Sequence, residues 1–268
     1  MQKNNFFSII TATFNASATI ADCLQSVSSQ SHSAEHIIID GASTDATLET
    51  VRRISPAARV LSEPDNGMYD AMNKGIALAR GEVVGILNAD DVYASRDVLA
   101  NVAQIFENPA VMCCYGDLEY VKTAGARVDD TIQHSIFNIQ HFEVVRYWKS
   151  GLFTPRSFYW GWMPPHPAFF VRRSVYERYG NFRLDIGSAA DYELMLRMLL
   201  KHGLHAAYIP EVLVRMRVGG ASNGSLTARM KANQMDRRAW EVNGLNPYPV
   251  TIVMKPLRKV LQYVCRKK

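Results

Sequence analysis

Three short apolar runs that each end in a polar cluster constrain this chain more than anything else in it. Residues 6–12 (FFSIITA), 36–40 (HIIID) and 83–87 (VVGIL) read as strands, with a shorter one at 60–61. Between them lie helix patterns at 19–29, 47–54 and 68–79, the last with Met68, Ala71, Met72, Gly75, Ile76 and Ala79 on one face. Near-continuous apolar strands alternating with helices predict an α/β fold whose mostly parallel sheet is covered on both faces. In such sheets ligands bind beyond the carboxyl ends of the strands.

Those ends are where polar side chains gather. The first run leads into Thr11-Ala12-Thr13-Phe14-Asn15, the second into Asp40-Gly41-Ala42-Ser43-Thr44-Asp45, and the run at 83–87 into Asn88-Ala89-Asp90-Asp91. Turn and cap chemistry accounts for any one of them. Three acidic or hydroxyl-rich ends on one edge point to a site instead.

The 268 residues suffice for one large α/β domain or two small ones, and 48% apolar with 21% charged residues excludes collagenous, disordered and disulfide-stapled classes. Cys23, Cys113, Cys114 and Cys265 lack metal-ligand spacing, which reads as a reducing compartment. The stretch 4–21 is uncharged, but its Ser, Thr and Asn residues leave no clean hydrophobic region for a signal, so a soluble chain is expected.

Charge is unevenly placed. From Leu226 onward ten basic residues face only Asp236 and Glu241, so that tail carries +8 and the first 225 residues −3. This predicts two parts: a body at 1–225 and a basic helical extension at 226–268. In the extension Leu257, Val260, Leu261 and Val264 follow helical spacing among Lys255, Arg258, Lys259, Arg266, Lys267 and Lys268. Such a helix suits an anionic membrane surface. A nucleic-acid role for the tail is the rival reading, with no recognised motif to support it.

The second half is less regular. Residues 131–165 read as an aromatic loop, including Trp160 and Trp162, followed by Pro164-Pro165-His166-Pro167. Ser188 and Asp191 have the spacing of a capping box opening a helix from Tyr192 to His202, closed by Gly203. Asp70 and Lys74 are spaced as a helical ion pair, and Pro64-Asp65-Asn66-Gly67 as a turn.

Neither GxGxxG nor GxxxxGK[ST] occurs, which argues against the usual nucleotide loops. A phosphate-bearing ligand would need another way to neutralise its charge, and Asp90 with Asp91 offers hard carboxylates for Mg²⁺ or Mn²⁺.

Five segments in order, SIITATFN (8–15), IIIDGASTDAT (37–47), SEPDNGMYDAMNKGI (62–76), GILNADD (85–91) and AADYELMLRM (189–198), resemble the family 2 glycosyltransferases with the GT-A fold. The 62–76 segment resembles most the branch that builds bacterial O-antigens, colanic-acid-like capsules and exopolysaccharides. The resemblance implies an inverting, metal-dependent hexosyltransferase acting on a nucleotide sugar, a UDP-sugar first of all. It implies an undecaprenyl-diphosphate-linked acceptor at the cytoplasmic face of the inner membrane.

Site roles follow by position. Thr11 and Asp40 match positions that hold base and ribose, with Thr13 a further substrate-binding candidate, and Asp90 and Asp91 match the acidic DxD-type motif that binds ribose and the metal on the diphosphate. Asp191 matches the general base, with Asp65, Asp70 and His166 as substrate contacts. Arg215 to Ser222 resembles a closing element over the nucleotide. The departure is Asn88, where many members carry the first Asp of DxD; it motivates a second expectation, a relative that binds nucleotide sugar without turnover.

Overall fold

The computed structural model describes residues 6–123, 142–219 and 226–264, with side chains assigned in all but 226–230 and 259–264. Its first third follows the alternation read from the sequence. Strand β1 (Phe7–Thr13) is followed by α1 (Ile20–Ser28), β2 (Ala34–Asp40), α2 (Thr47–Ile54), β3 (Arg59–Ser62), α3 (Met68–Leu78) and β4 (Val83–Ile86). These four strands are mutually parallel in the order β3-β2-β1-β4. The central residues of β1, β2 and β4 are buried on both faces, as the unbroken apolar runs require, while β3 at the edge is mostly exposed.

Beyond β4 the sheet changes character. The chain continues through β5 (Val92–Tyr93), α4 (Val98–Phe106), β6 (Cys113–Thr123) and β7 (Phe142–Trp148). Then come α5 (Pro155–Tyr159), β8 (Phe169–Arg172), α6 (Arg173–Tyr179), α7 (Ala190–Met195) and β9 (Ala206–Arg217). The sheet of nine strands among the described residues extends in the order β4-β8-β6-β9-β5, with β7 on β6. Here β8, β7 and β5 pair antiparallel, while β6 and β9 run parallel. The first four strands are thus all parallel, and beyond them the sheet is mixed.

Two expectations change. Part of the aromatic region is β7, an edge strand whose partner is β6, so its side chains are mostly exposed or half-buried and carry no clean alternation. The rest of that region up to residue 141 lies outside the described residues. The capping box at Ser188 does not form: a 3-10 segment, Leu184–Ala189, leads into α7, and Ala189 takes the cap position without a side-chain bond. The kink comes from Gly187, at φ 58°. The helix then runs on as a π segment, Leu196–Lys201.

Close backbone approach sets the layers. A Cβ on Gly75 would sit 2.3 Å from Ile10 Cγ2, so α3 lies directly on β1. The tail helices α8 (Leu226–Val242) and α9 (Thr251–Val264) pack on the body. Trp240 of α8 is wholly buried, and its indole donates to the Tyr192 hydroxyl (3.0 Å). Asn243 donates to Glu193 (3.1 Å), a residue itself paired with Arg197 at 3.0 Å. Thr251 caps the Tyr159 carbonyl at 2.7 Å. Lys255, expected on a lipid-facing basic surface, instead turns inward to pair with Asp236 at 2.6 Å, over the ring of Tyr192. Val260, Leu261 and Val264, the rest of the expected apolar stripe, have side chains outside the described set.

Candidate active site

Because β1, β2 and β4 are parallel, their carboxyl ends open on one edge, where Thr13 stands opposite Asp40. Asp40 is fully buried, and its oxygens accept from Ser43 N (3.0 Å), Ser43 Oγ (2.5 Å) and Ser62 Oγ (2.7 Å). The loop after β1 is stitched to the loop after β2. Asn15 N donates to Ser43 Oγ (2.8 Å), Thr44 N to Asn15 Oδ1 (2.9 Å) and Ala16 N to Thr47 Oγ1 (2.8 Å). Asp45 accepts from Thr47 and Ser17, and the Thr47 hydroxyl is the main cause that holds its carboxyl well below the usual range. Asn15 (φ 48°) and Ala42 (φ 63°) both occupy the left-handed region, a strain that clusters at this edge.

Asp65 joins from the turn before α3. A Cβ on Gly41 would lie 2.7 Å from Asp65 Oδ2 and 3.5 Å from Phe14 Cδ2, so glycine at 41 lets carboxylate and ring approach the strand end together. Phe14 is 63% exposed there, a large cost for an aromatic unless something stacks on it. Asp70 has a local duty: it accepts from Asn66 N (3.0 Å) and lies 3.8 Å from Lys74, which also pairs with Glu63 (2.8 Å).

The end of β4 holds the acidic pair. Asp90 is half-buried and Asp91 fully buried. Asn88 Nδ2 donates to Asp91 Oδ2 (3.0 Å), so the residue that replaces a carboxylate here serves as a donor to its neighbour. Among the described residues Asp91 Oδ1 is buried with no partner, and so is the Thr13 hydroxyl. Burial, then the adjacent charge of Asp90, pushes the Asp91 carboxyl well above the usual carboxylate range. Arg217 pairs with Asp22 and donates to the Asp90 carbonyl (3.3 Å), tying α1 to this turn.

An orphaned, desolvated carboxylate oxygen beside a second carboxylate fits a hard divalent cation. Among the described residues no group of three or more His, Cys, Asp or Glu could hold a metal. The protein's share would therefore be Asp91 and Asp90, which suits an ion that keeps waters and phosphate oxygens as its other ligands.

Asp191 stands on the first turn of α7, where Tyr192 N donates to its Oδ1 (2.7 Å). His166 opens the 3-10 turn before β8; its ring meets Phe182 edge-on, with centroids 5.5 Å apart. Burial lowers its pKa and the charge of Asp191, close enough to act on the ring, partly offsets this. Tyr69 also faces Asp191, and nothing in its spacing singled it out beyond its place in the 62–76 segment.

The structure thus brings Thr13, Asp40, Asp65, Asp90 and Asp91 to one edge, and His166 to Asp191. Thr11 does not join them. Its hydroxyl is fully buried between sheet and α1, hydrogen-bonded to His36 Nε2 (3.0 Å) and 3.7 Å from Cys23 Sγ. Trp162 is also committed inward: its indole donates to the Ser150 carbonyl (2.7 Å) and its ring stacks on Phe153. Trp160 is half exposed, at 50%. Of the expected closing element, residues through Gly219 are described and the remainder lies outside them.

A parallel-to-mixed sheet with carboxylates at its strand ends and a further one on a facing helix defines a GT-A-type glycosyltransferase fold, and solved structures agree. The chain superposes on the Pyrobaculum calidifontis mannosyltransferase PcManGT in complex with GDP-Man and Mn²⁺ with TM-score 0.62 at 22% identity, over 98% of this chain and 70% of that one. It superposes on S. aureus TarS in complex with UDP-GlcNAc with TM-score 0.65 at 17% identity, over 92% of this chain and 69% of that one.

The chain belongs to glycosyl transferase family 2, whose model matches residues 8–180. A PGL/p-HBAD biosynthesis glycosyltransferase of Mycobacterium bovis is 30% identical over 224 residues, 81% of this chain and 79% of the relative. An uncharacterized glycosyltransferase of Mycobacterium tuberculosis is 31% identical over 197 residues, 72% and 68% respectively. The protein is a transferase.

Proposed function

We propose that this transferase moves a hexose from a nucleotide sugar, a UDP-sugar first of all, to a lipid-linked saccharide with inversion at the anomeric carbon. The observation that carries the reading is the buried, unpartnered Oδ1 of Asp91 beside Asp90 on the edge that Asp40 shares. Asp40 and the Ser43 loop form a rigid rim for base and ribose, and Phe14 offers its exposed face to the base. Mn²⁺ or Mg²⁺ held by Asp91 and Asp90 would neutralise charge on the departing diphosphate.

Asp191 takes the proton of the acceptor hydroxyl. One carboxylate acting as base on the acceptor hydroxyl gives single displacement and therefore inversion. His166, kept neutral by burial, contacts the acceptor side. The solved neighbours bound to GDP-Man and UDP-GlcNAc support a nucleotide-sugar donor.

The finer setting is surface-polysaccharide assembly of the O-antigen or exopolysaccharide type, at the cytoplasmic face of the inner membrane. Among the described residues no helix is long and apolar enough to cross a membrane. Val250, Val253 and Leu257 are exposed on and before α9, which supports contact with an anionic leaflet instead.

Calorimetric titration with UDP, GDP, dTDP and CMP, each with and without Mn²⁺, tests the donor and metal parts. Metal-dependent binding of one nucleotide is expected; a folded protein that binds none overturns the reading. Flotation with anionic vesicles tests the surface contact, and equal recovery with neutral vesicles refutes it.

A further inference from the structure

The segment 62–76 touches both halves of the site. Ser62 holds Asp40 at its start, and Asp65 packs at Gly41. At its other end Asn73 makes two bonds to the backbone of Phe182, donating to its carbonyl and accepting from its N–H, both at 2.9 Å. Between these anchors stands Tyr69 on the first turn of α3, its ring 5.4 Å from that of Phe182. Its hydroxyl donates to the Ser188 carbonyl at 3.5 Å, a long bond, and faces the Asp191 carboxylate. Burial first and the Asp191 charge second push the phenol far above its ordinary range, so it stays a proton donor at any working pH.

We propose that Tyr69 is a positioning residue for Asp191, its hydroxyl donating to the carboxylate so that one oxygen is left aimed at the acceptor. This rests on the assignment of Asp191 as base. The phenol proton is poorly used at Ser188 and has a charged acceptor beside it, which is the stronger partner. With the Tyr192 N–H already on Oδ1, a second donor fixes the plane of the carboxylate.

Other groups face this pocket. His166 comes from the turn before β8, and Asp236 of α8, whose charge reaches Tyr69, is neutralised by Lys255 of α9. Glu193 on α7 is neutralised by Arg197. Burial lowers His166 from its ordinary range and among the described residues no hydrogen bond or ring contact joins it to residue 69, so an acid limb that moves with residue 69 reports on Asp191.

Tyr69→Phe keeps the ring and its contact with Phe182. The expected result is a kcat lower by about ten- to a hundredfold, the usual weight of a hydrogen bond to a charged group. The acid limb of the kcat profile moves up by about one pH unit, because the carboxylate loses a donor. KM for the nucleotide sugar and the melting temperature stay near the parent values. A lowered kcat with an unmoved acid limb, or a raised KM alone, overturns the proposal.

Asp191→Asn is assayed alongside. If it remains active, the base assignment fails and Tyr69 has nothing to position. If it is inactive while Tyr69→Phe behaves as the parent, only the role of Tyr69 fails. Should Tyr69→Phe melt early, Asn73→Ala loosens the same anchor from outside the pocket and is expected to shift the acid limb in the same direction; no shift there counts against the proposal.

Discussion

The edge formed by β1–β4 and the region built from β6–β9 with α7–α9 solve the same problem in opposite ways. On the first, each functional group sits at the end of its own strand, and short-range bonds lock the loops: Asn15 to Thr44 between two loops, Ser43 to Asp40 and Thr47 to Asp45 within one. In the second, Asp191 depends on parts far apart in the chain. Phe182 is anchored by Asn73, and α7 is fastened by Trp240 of α8 and by Asn243 just beyond it. Local stitching makes a rim held by its own loops, whereas long-range fastening makes the position of the Asp191 carboxylate a property of the whole fold.

Four experiments break or sharpen that contrast. Asp191→Asn is expected to lower transfer by about 10⁴-fold, within the range for loss of a general base, with nucleotide affinity almost unchanged by calorimetry. Weakened nucleotide binding would mean the two regions are not separable. Trp240→Ala removes a wholly buried indole and its bond to Tyr192. A stability loss of about 4 kcal/mol is expected in denaturant titration, with the rim still binding nucleotide in the folded fraction.

The third experiment is a pH series on stability. Burial lowers His36 from 6.5 to about 4, so the folded protein resists a proton that the unfolded chain takes up below pH 6.5. Stability is full above pH 6.5 and falls toward pH 4, by about 3 kcal/mol from this group. His166 adds to the loss in the same direction. Denaturation midpoints between pH 7 and 4 check it, and His36→Gln should flatten the slope. The smallest effect is expected from Asp91→Asn, which removes a desolvated charge and so stabilises the metal-free protein by about 1 kcal/mol. The same change should abolish the Mn²⁺-dependent part of nucleotide affinity.

The contrast also explains what could be read in advance. In the first third α2 has the bounds expected from its pattern, and α3 and β4 differ by one residue at their ends. There periodicity and strand-end polarity come from neighbours in sequence. In the second half β7 was hidden because an edge strand need not alternate. The Ser188 cap failed because Gly187 turns the chain before α7 begins. Thr11 lies two residues before Thr13 and so shares its face, but only Thr13 reaches the strand end; pattern alone did not separate them. Tyr69 and the inward turn of Lys255 rest on contacts 119 and 19 residues apart, which no local window displays.

Gly161 carries a consequence for how the enzyme would stand on a surface. At φ +73° it lies against the backbone of α9, where a Cβ would be 2.3 Å from Lys255 N. With Lys255 also pinned to Asp236, the helix is free neither to roll about its axis nor to slide along it. The direction in which Val253 and Leu257 point is then fixed relative to the strand ends that carry Asp40 and Asp91. A flat layer resting on those two side chains would then meet the molecule from one side only, and α9 would act as a keel that limits the tilts at which the strand ends could be presented to it.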